Sequence, residues 1–410
     1  MIDGNLALQL TPETEPHEIC RELQDIKWSL DQHSAIVNTL TKHGCQYLKG
    51  REEYTLLKEV VSPDVTQVSN SGKTQTPENA VITGAEGSGV NSPLCGAIGV
   101  NDTDTDSYSK PFMAPLDVQK SGSIADVIPS FKVIQSNSMS LNIGFDTEFQ
   151  DYRDGSGKNR RVLSLQMTIA VGEKQIRYFF LVDPHYQEVT ADGGMIPLKY
   201  CLADILADLK KCYFKDFPLV LKKDILYKEK PWKDHDPYRV VDYAAMRDSV
   251  IPITIICHTG KADITVFRRS KYDIDILRKL GEIQGGWMTT EYVYFTAAND
   301  KNRNYYWLVN LSVRDTLGLT PADNKSLKAL GKVIHKPKIE LPEKVIEHMA
   351  AFAVSNPVEY YKYAMNDADI VVSFCAELFQ CNHAVPMTLS SAAASAMYAS
   401  IKTYFGVKKK

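Results

Sequence analysis

Apolar residues recur near the helical period over about residues 16 to 61, at Ile19, Leu23, Ile26, Leu30, Ile36, Leu40 and Leu48, and this spacing predicts an N-terminal helical segment. Small helical modules pack against a larger domain or a protein partner, so residues 1–61 are expected to do one or the other. Over residues 62–130 large apolar side chains thin out in favour of Ser, Thr, Asn, Gly and Pro. Such a stretch cannot bury enough surface to offset the entropy of ordering and is expected to be a flexible, low-complexity, disordered linker.

Beyond the linker, strand-like and helix-like patterns alternate. Residues 143–149, 161–170 and 175–183 read as three consecutive strands joined by Asp154-Gly155-Ser156-Gly157 and Gly172-Glu173. A helix over residues 198–212 follows. A strand at 253–257 then feeds a helix from Ala262, and a strand spans 304–313. Helices are predicted from Ser326, Pro342 and Pro357, with one more over residues 390–405. Strands alternating with helices imply an α/β fold with a mixed sheet covered on both faces. The expected domain is 131–383, with 384–410 as a C-terminal helix that could begin a further region.

Composition narrows the chemistry. A chain of 410 residues with a formal net charge of −3 is not built to coat nucleic acid, although lysines can still be confined to one wall of a channel. Two groups qualify: Lys222, Lys223, Lys228, Lys230 and Lys233, and Lys325, Lys328, Lys332, Lys336 and Lys338. The first lies in an insertion that also holds Trp232, Tyr238 and Tyr243, and aromatics among lysines suit a single-strand channel or an ordinary packed loop. Eight cysteines without Cys-x-x-Cys spacing argue against zinc and against a disulfide framework. No signal-like start and no membrane-length apolar run occurs, so a reducing cytoplasmic compartment and no membrane partner are expected.

Three acidic stations carry the candidate chemistry: Asp146-Thr147-Glu148 on the first strand, His258-Thr259-Gly260-Lys261-Ala262-Asp263 after the fourth, and Tyr363 with Asp367 one turn apart on a helix. Each alone is weak. Together, four carboxylates from separate elements can hold two divalent cations for phosphodiester hydrolysis. Hard Mg2+ or Mn2+ ions prefer such oxygen ligands. Asp104-Thr105-Asp106-Ser107 spells a polymerase metal motif, but its linker context and Asp102 make it a chance match.

In order and spacing these stations resemble the motifs of the DEDD superfamily of 3′–5′ exonucleases, whose fold is ribonuclease-H-like. Tyr363, four residues before Asp367, is similar to the tyrosine form; Lys362 stands where the histidine form has His. The string Arg314-Asp315-Thr316, Leu319-Thr320-Pro321, Lys325-Ser326-Leu327, Leu330-Gly331, Lys338-Ile339 and Leu341-Pro342, with the exit Val385-Pro386-Met387-Thr388-Leu389, resembles the proofreading domain of protein-primed family B DNA polymerases. The resemblance implies that Asp146, Glu148, Asp263 and Asp367 hold two ions, that Tyr363 orients the attacking water, and that Thr147, His258 and Thr259 contact a single-stranded DNA 3′ end. Thr259 and Ala262 depart from the Asn and the aromatic of the family's second motif. A stand-alone ribonuclease-D-like enzyme acting on RNA, or an inactive nucleic-acid-binding module, are the rival readings. Removal of residues 1–130 is expected to leave activity intact.

Overall fold

The structure is a computed structural model that describes residues 28–62, 140–154, 157–172, 174–186, 196–232, 235–267, 274–299, 303–320, 325–379 and 384–405. The linker and the Asp104–Ser107 motif lie outside these residues, as do residues 1–27. In chain order the described elements begin with α1 (Leu30–Lys42), β1 (Gln46–Gly50), β2 (Tyr54–Val61), β3 (Leu141–Asp154), β4 (Gly157–Val171), β5 (Lys174–Val182) and α2 (Leu198–Cys212). There follow β6 (Val220–Leu221), β7 (Tyr227–Trp232), β8 (His235–Val241), β9 (Val250–Cys257), α3 (Lys261–Ile264), α4 (Ile274–Leu277), β10 (Leu280–Ile283), β11 (Gly286–Thr289), β12 (Val293–Ala298) and β13 (Tyr305–Asp315). Helices α5 (Leu327–Val333), α6 (Glu343–Glu347), α7 (Met349–Ser355), α8 (Pro357–Phe379) and α9 (Leu389–Tyr404) complete the chain.

The sheet is mixed, in the order β1-β2-β5-β4-β3-β9-β13-β12, with β6 against β13. Only the β3–β9 and β9–β13 pairs are parallel among those described. Odd residues of β3, such as Ile143 and Phe145, join Ile253 and Ile255 of β9 and Leu202, Ile205 and Leu209 of α2 in one core. The opposite face is covered by α1, α7 and α8 over Leu57, Leu163, Phe179 and Leu181, and by α5 and α8 over Ile256. Strands with both faces apolar need helices on both sides, and each fully buried Leu, Ile or Phe contributes roughly 1.5–3 kcal/mol.

The N-terminal segment departs from the helical expectation. Residues 30–42 are helical, capped by Ser29 and Gln32 in a capping box. The helix ends at Gly44 with φ +105°, a conformation that glycine adopts freely, and residues 46–61 are strands. Tyr54, Leu56 and Leu57 bury on alternating sides, and β2 pairs with β5 over eight positions from Tyr54↔Val182 to Val61↔Gln175. Helical spacing through Leu48 was thus a false continuation. Residues 28–62 fall in the same compact unit as residues 140–405, so the N-terminal segment packs with the main sheet. Deleting residues 1–130 would strip β2 from β5 and is expected to unfold the unit rather than spare it.

The insertion after α2 and the stretch between α4 and β13 hold more strands than expected. β7 and β8 form a separate two-stranded ribbon, β10 and β11 another, and β12 extends the main sheet. The helix expected from Ala262 is one turn followed by a 3-10 turn at Thr265–Phe267.

Candidate active site

Even-numbered residues of β3 face α8. Gly144 is where the helix crosses: a Cβ there would stand 2.2 Å from the Ala368 carbonyl oxygen. A side chain at 144 would therefore push α8 off the strand. Asp146 and Glu148 lie on the same face one and two pleats further on. Because Ala368 sits over Gly144, the preceding turn of α8 brings Tyr363 and Asp367 toward those two acids. A β-bulge in β4 opposite Glu148 and Phe149 ends the regular alternation just past the site.

Asp263 arrives from the other side. β3 and β9 pair only from Leu141↔Ile253 to Gly144↔Ile256, and the strands part where Asp146 begins. The loop after β9 then folds back through Thr259, at φ 58°, and Gly260, where a Cβ would meet Cys257 Sγ at 2.1 Å. Buried Asp315 at the end of β13 fixes this loop by accepting from the backbone N–H groups of Thr259 (3.1 Å), Gly260 (2.8 Å), Trp287 (3.0 Å) and Leu317 (3.0 Å). Asp263 in turn accepts from the Thr147 hydroxyl at 2.8 Å. All of this happens at the carboxyl ends of parallel strands, where the order turns from β4 and β5 on one side to β9 and β13 on the other. Open α/β sheets place ligands at such a switch point.

The electrostatics are those of like charges held together. Glu148 and Asp263 are buried, while Asp146, Asp367 and Tyr363 are half-buried and open the crevice to one side. Burial, then Asp263, Asp367 and Glu148, pushes the Asp146 carboxyl well above the usual range. Glu148 is likewise raised by burial, then by Asp367 and Asp263. Burial lifts Asp263 to about 7 against the Thr147 hydrogen bond. Asp367 is raised by burial, although Lys338 pulls it down. The Tyr363 hydroxyl is held protonated far above its ordinary value by burial, Glu148, Asp367 and Asp146.

Lys338 Nζ donates to Asp367 Oδ2. It is held there because Asn366, on α8, accepts from the Ile339 N–H at 2.8 Å and donates to the Pro337 carbonyl at 3.3 Å. From sequence Lys338 reads only as a channel-wall lysine, since 29 residues separate it from Asp367. Three further residues were missed. Ser164 and Gln166, opposite Glu148 and Asp146 on β4, are fully buried, and Tyr360 shares a 2.5 Å hydrogen bond with Ser164. Buried hydroxyl and amide groups within an otherwise apolar strand were the available signal.

His258 and Thr259, expected at substrate, make their described polar contacts within the protein: His258 Nδ1 with the Thr316 hydroxyl at 2.7 Å, and the Thr259 N–H to Asp315. Burial lowers the His258 pKa, so its neutral ring is favoured. Thr147 likewise serves Asp263 through its hydroxyl.

Whether this donor set suits a cation can be judged from its own atoms. No three of the described His, Cys, Asp or Glu side chains stand as a ready-made metal cage. Yet two buried acceptors in the crevice, Asp367 Oδ1 and Gln166 Oε1, lack hydrogen-bond partners, and four carboxylates share a site with a single paired lysine. An all-oxygen donor set with surplus negative charge fits a hard divalent cation. Among the described residues no helix is long and apolar enough to cross a membrane. Compared with known proteins, the chain matches no family model and shows no significant similarity to a curated protein.

Proposed function

We propose that this chain is a divalent-metal-dependent 3′–5′ exonuclease acting on single-stranded DNA ends. The observation that carries the reading is the convergence of Asp146, Glu148, Asp263 and Asp367, from three elements, into one crevice whose acids raise one another's pKa values. Mutual repulsion of this kind costs stability and persists at sites where a function uses it. The strand order β5-β4-β3-β9-β13, with its first three strands antiparallel and its last three parallel, supports a ribonuclease-H-like fold for the sheet.

Asp146, Glu148, Asp263 and Asp367 would hold the cations. When bound, Mg2+ or Mn2+ would lower the pKa of water and stabilise the leaving 3′ oxygen. The rest belongs to the chain. Tyr363, kept protonated, donates to and orients the attacking water from the open side of the crevice. Thr147 holds the Asp263 carboxylate in one orientation. Lys338 offsets charge at Asp367 and sets that carboxylate's direction. The Arg314–Pro342 string and the exit Pro386-Met387-Thr388-Leu389, by their resemblance to protein-primed polymerases, favour a proofreading domain over an RNA-directed enzyme.

The test is incubation of the purified chain with end-labelled single-stranded DNA and RNA, with Mg2+, Mn2+ or chelator. Stepwise shortening of DNA from the 3′ end that chelator abolishes is the expected result. Preferential digestion of RNA would shift the reading to the ribonuclease-D-like alternative, and metal-independent or absent cleavage of both would overturn it.

A further inference from the structure

A second site lies on the same sheet face as the acids, on the far side of the α8 crossing. Ser140 is six residues before Asp146 on β3, about 20 Å at the rise of an extended strand. There the sheet presents Thr254 and Ser312, and the Thr254 hydroxyl shares hydrogen bonds of 2.8 Å with Ser140 and 3.0 Å with Ser312. Asn310 stands beside them, its Oδ1 buried with no hydrogen-bond partner. These residues floor a half-open cavity of about 1750 Å³ walled by the β7–β8 ribbon, the start of β12 and residues 384–395. A pocket for one small molecule takes about 300–1,000 Å³, so this space suits a polymer segment.

The walls identify its chemistry. Among the described lining residues seven are Lys or Arg and one, Asp248, is acidic. Asp242 and Glu291 pair with Lys228 and Lys279, which still leaves a strong positive balance. Three lining tyrosines, Tyr238, Tyr292 and Tyr294, are 42%, 60% and 45% exposed, and Tyr243 packs on Tyr294 with ring centroids 5.0 Å apart. Exposed rings interleaved with cations above a polar floor are what binds a single strand: bases stack on the rings while cations follow the phosphates. An acidic peptide would use the cations and leave the rings unexplained.

We infer that this cavity is a binding groove for single-stranded nucleic acid, separate from the carboxylate site, with Lys230 and Arg278 tracking phosphates and Tyr238 and Tyr292 stacking bases. It extends the exonuclease reading, giving the strand a hold well away from the end being cut. Its test is nevertheless independent of catalysis.

Fluorescence anisotropy of the full chain with a labelled fifteen-residue oligothymidylate, in chelator and over a range of salt, measures binding without cleavage, and the groove variants assign the groove's share of it. Lys230→Ala with Arg278→Ala should lower the slope of log affinity against log salt by roughly 1.4, about 0.7 per lost phosphate contact. Tyr238→Ala with Tyr292→Ala should weaken binding by about tenfold or more, as loss of stacked bases does. Unchanged affinity in both double variants, each shown folded by circular dichroism, would overturn the inference. So would failure of the parent chain to bind, or competition by polyglutamate equal to that of unlabelled oligonucleotide. Digestion by the Asp146→Ala variant reports on the acids only, so failure of one reading is distinguishable from failure of the other.

Discussion

Asp204 and Asp146 sit in the same folded unit, on opposite faces of one sheet, and meet opposite fates. Asp204, on α2, accepts from Lys49 at 2.9 Å, from Arg51 Nε at 2.7 Å and from the Tyr54 hydroxyl at 2.8 Å. Burial alone would raise its pKa, but the Arg51 and Lys49 contacts outweigh burial and hold the carboxyl below its ordinary value. Asp146 is surrounded by three other acids and is driven up. One carboxylate is supplied with every partner it can use, and the other is left short of positive charge. The difference separates a carboxylate that secures the N-terminal strands from a set held in mutual repulsion.

The largest expected effect that sharpens this contrast is on catalysis. Asp146→Ala should take 3′–5′ digestion below detection while leaving the metal-free melting temperature unchanged or raised, because the substitution relieves repulsion among buried acids. Undiminished digestion by a folded variant would remove the acids from the mechanism. Tyr363→Phe should slow hydrolysis by about 10²–10⁴-fold, the usual range for groups that handle or orient a proton-bearing nucleophile. A parental rate in single-turnover measurements would reduce Tyr363 to packing.

The opposite fate is tested by Asp204→Ala, which strands Lys49 and Arg51 without their acceptor. Removing one partner of a buried ion pair costs about 3–5 kcal/mol, readable as a lower urea midpoint with β2 and β5 losing amide-exchange protection first. A change below about 1 kcal/mol would show that Asp204 is solvated rather than integral.

The smallest effect is in the pH dependence of stability, and the two regions contribute with opposite sign. Asp263 is raised to about 7 in the folded chain, so between the ordinary carboxyl value and pH 7 the folded state binds more protons than the unfolded one. Its contribution is complete below the ordinary carboxyl value and is lost as pH rises through about 7. Asp204, with a depressed pKa, contributes above the ordinary value and loses that contribution on acidification. Metal-free protein should therefore melt progressively lower from pH 5 to pH 7.5, by about 1.4 kcal/mol per unit of carboxyl shift. Millimolar Mg2+ or Mn2+ should flatten that slope. A metal-free profile that rises over the same interval would contradict the repulsion described for the crevice.

The sequence by itself determined the elements whose patterns are local. The three consecutive strands, α2 and α8 follow from alternation and helical period, and they fall within a few residues of where the pattern puts them. The acids were legible too, because Asp146 and Glu148 share a pleat parity and Tyr363 and Asp367 share a helical turn. Residues 54–61 were misread because a strand with buried residues on both faces lacks clean alternation, and only pairing with β5, more than a hundred residues away, settles it. Lys338 and Asp315 acquire their roles from Asn366 and from the N–H groups of Thr259, Gly260 and Trp287, which sequence distance hides. Side-chain periodicity is a property of neighbours in the chain, whereas charge balance is a property of neighbours in space. Which buried carboxylates are neutralised and which are left in repulsion was therefore decided by the tertiary structure alone.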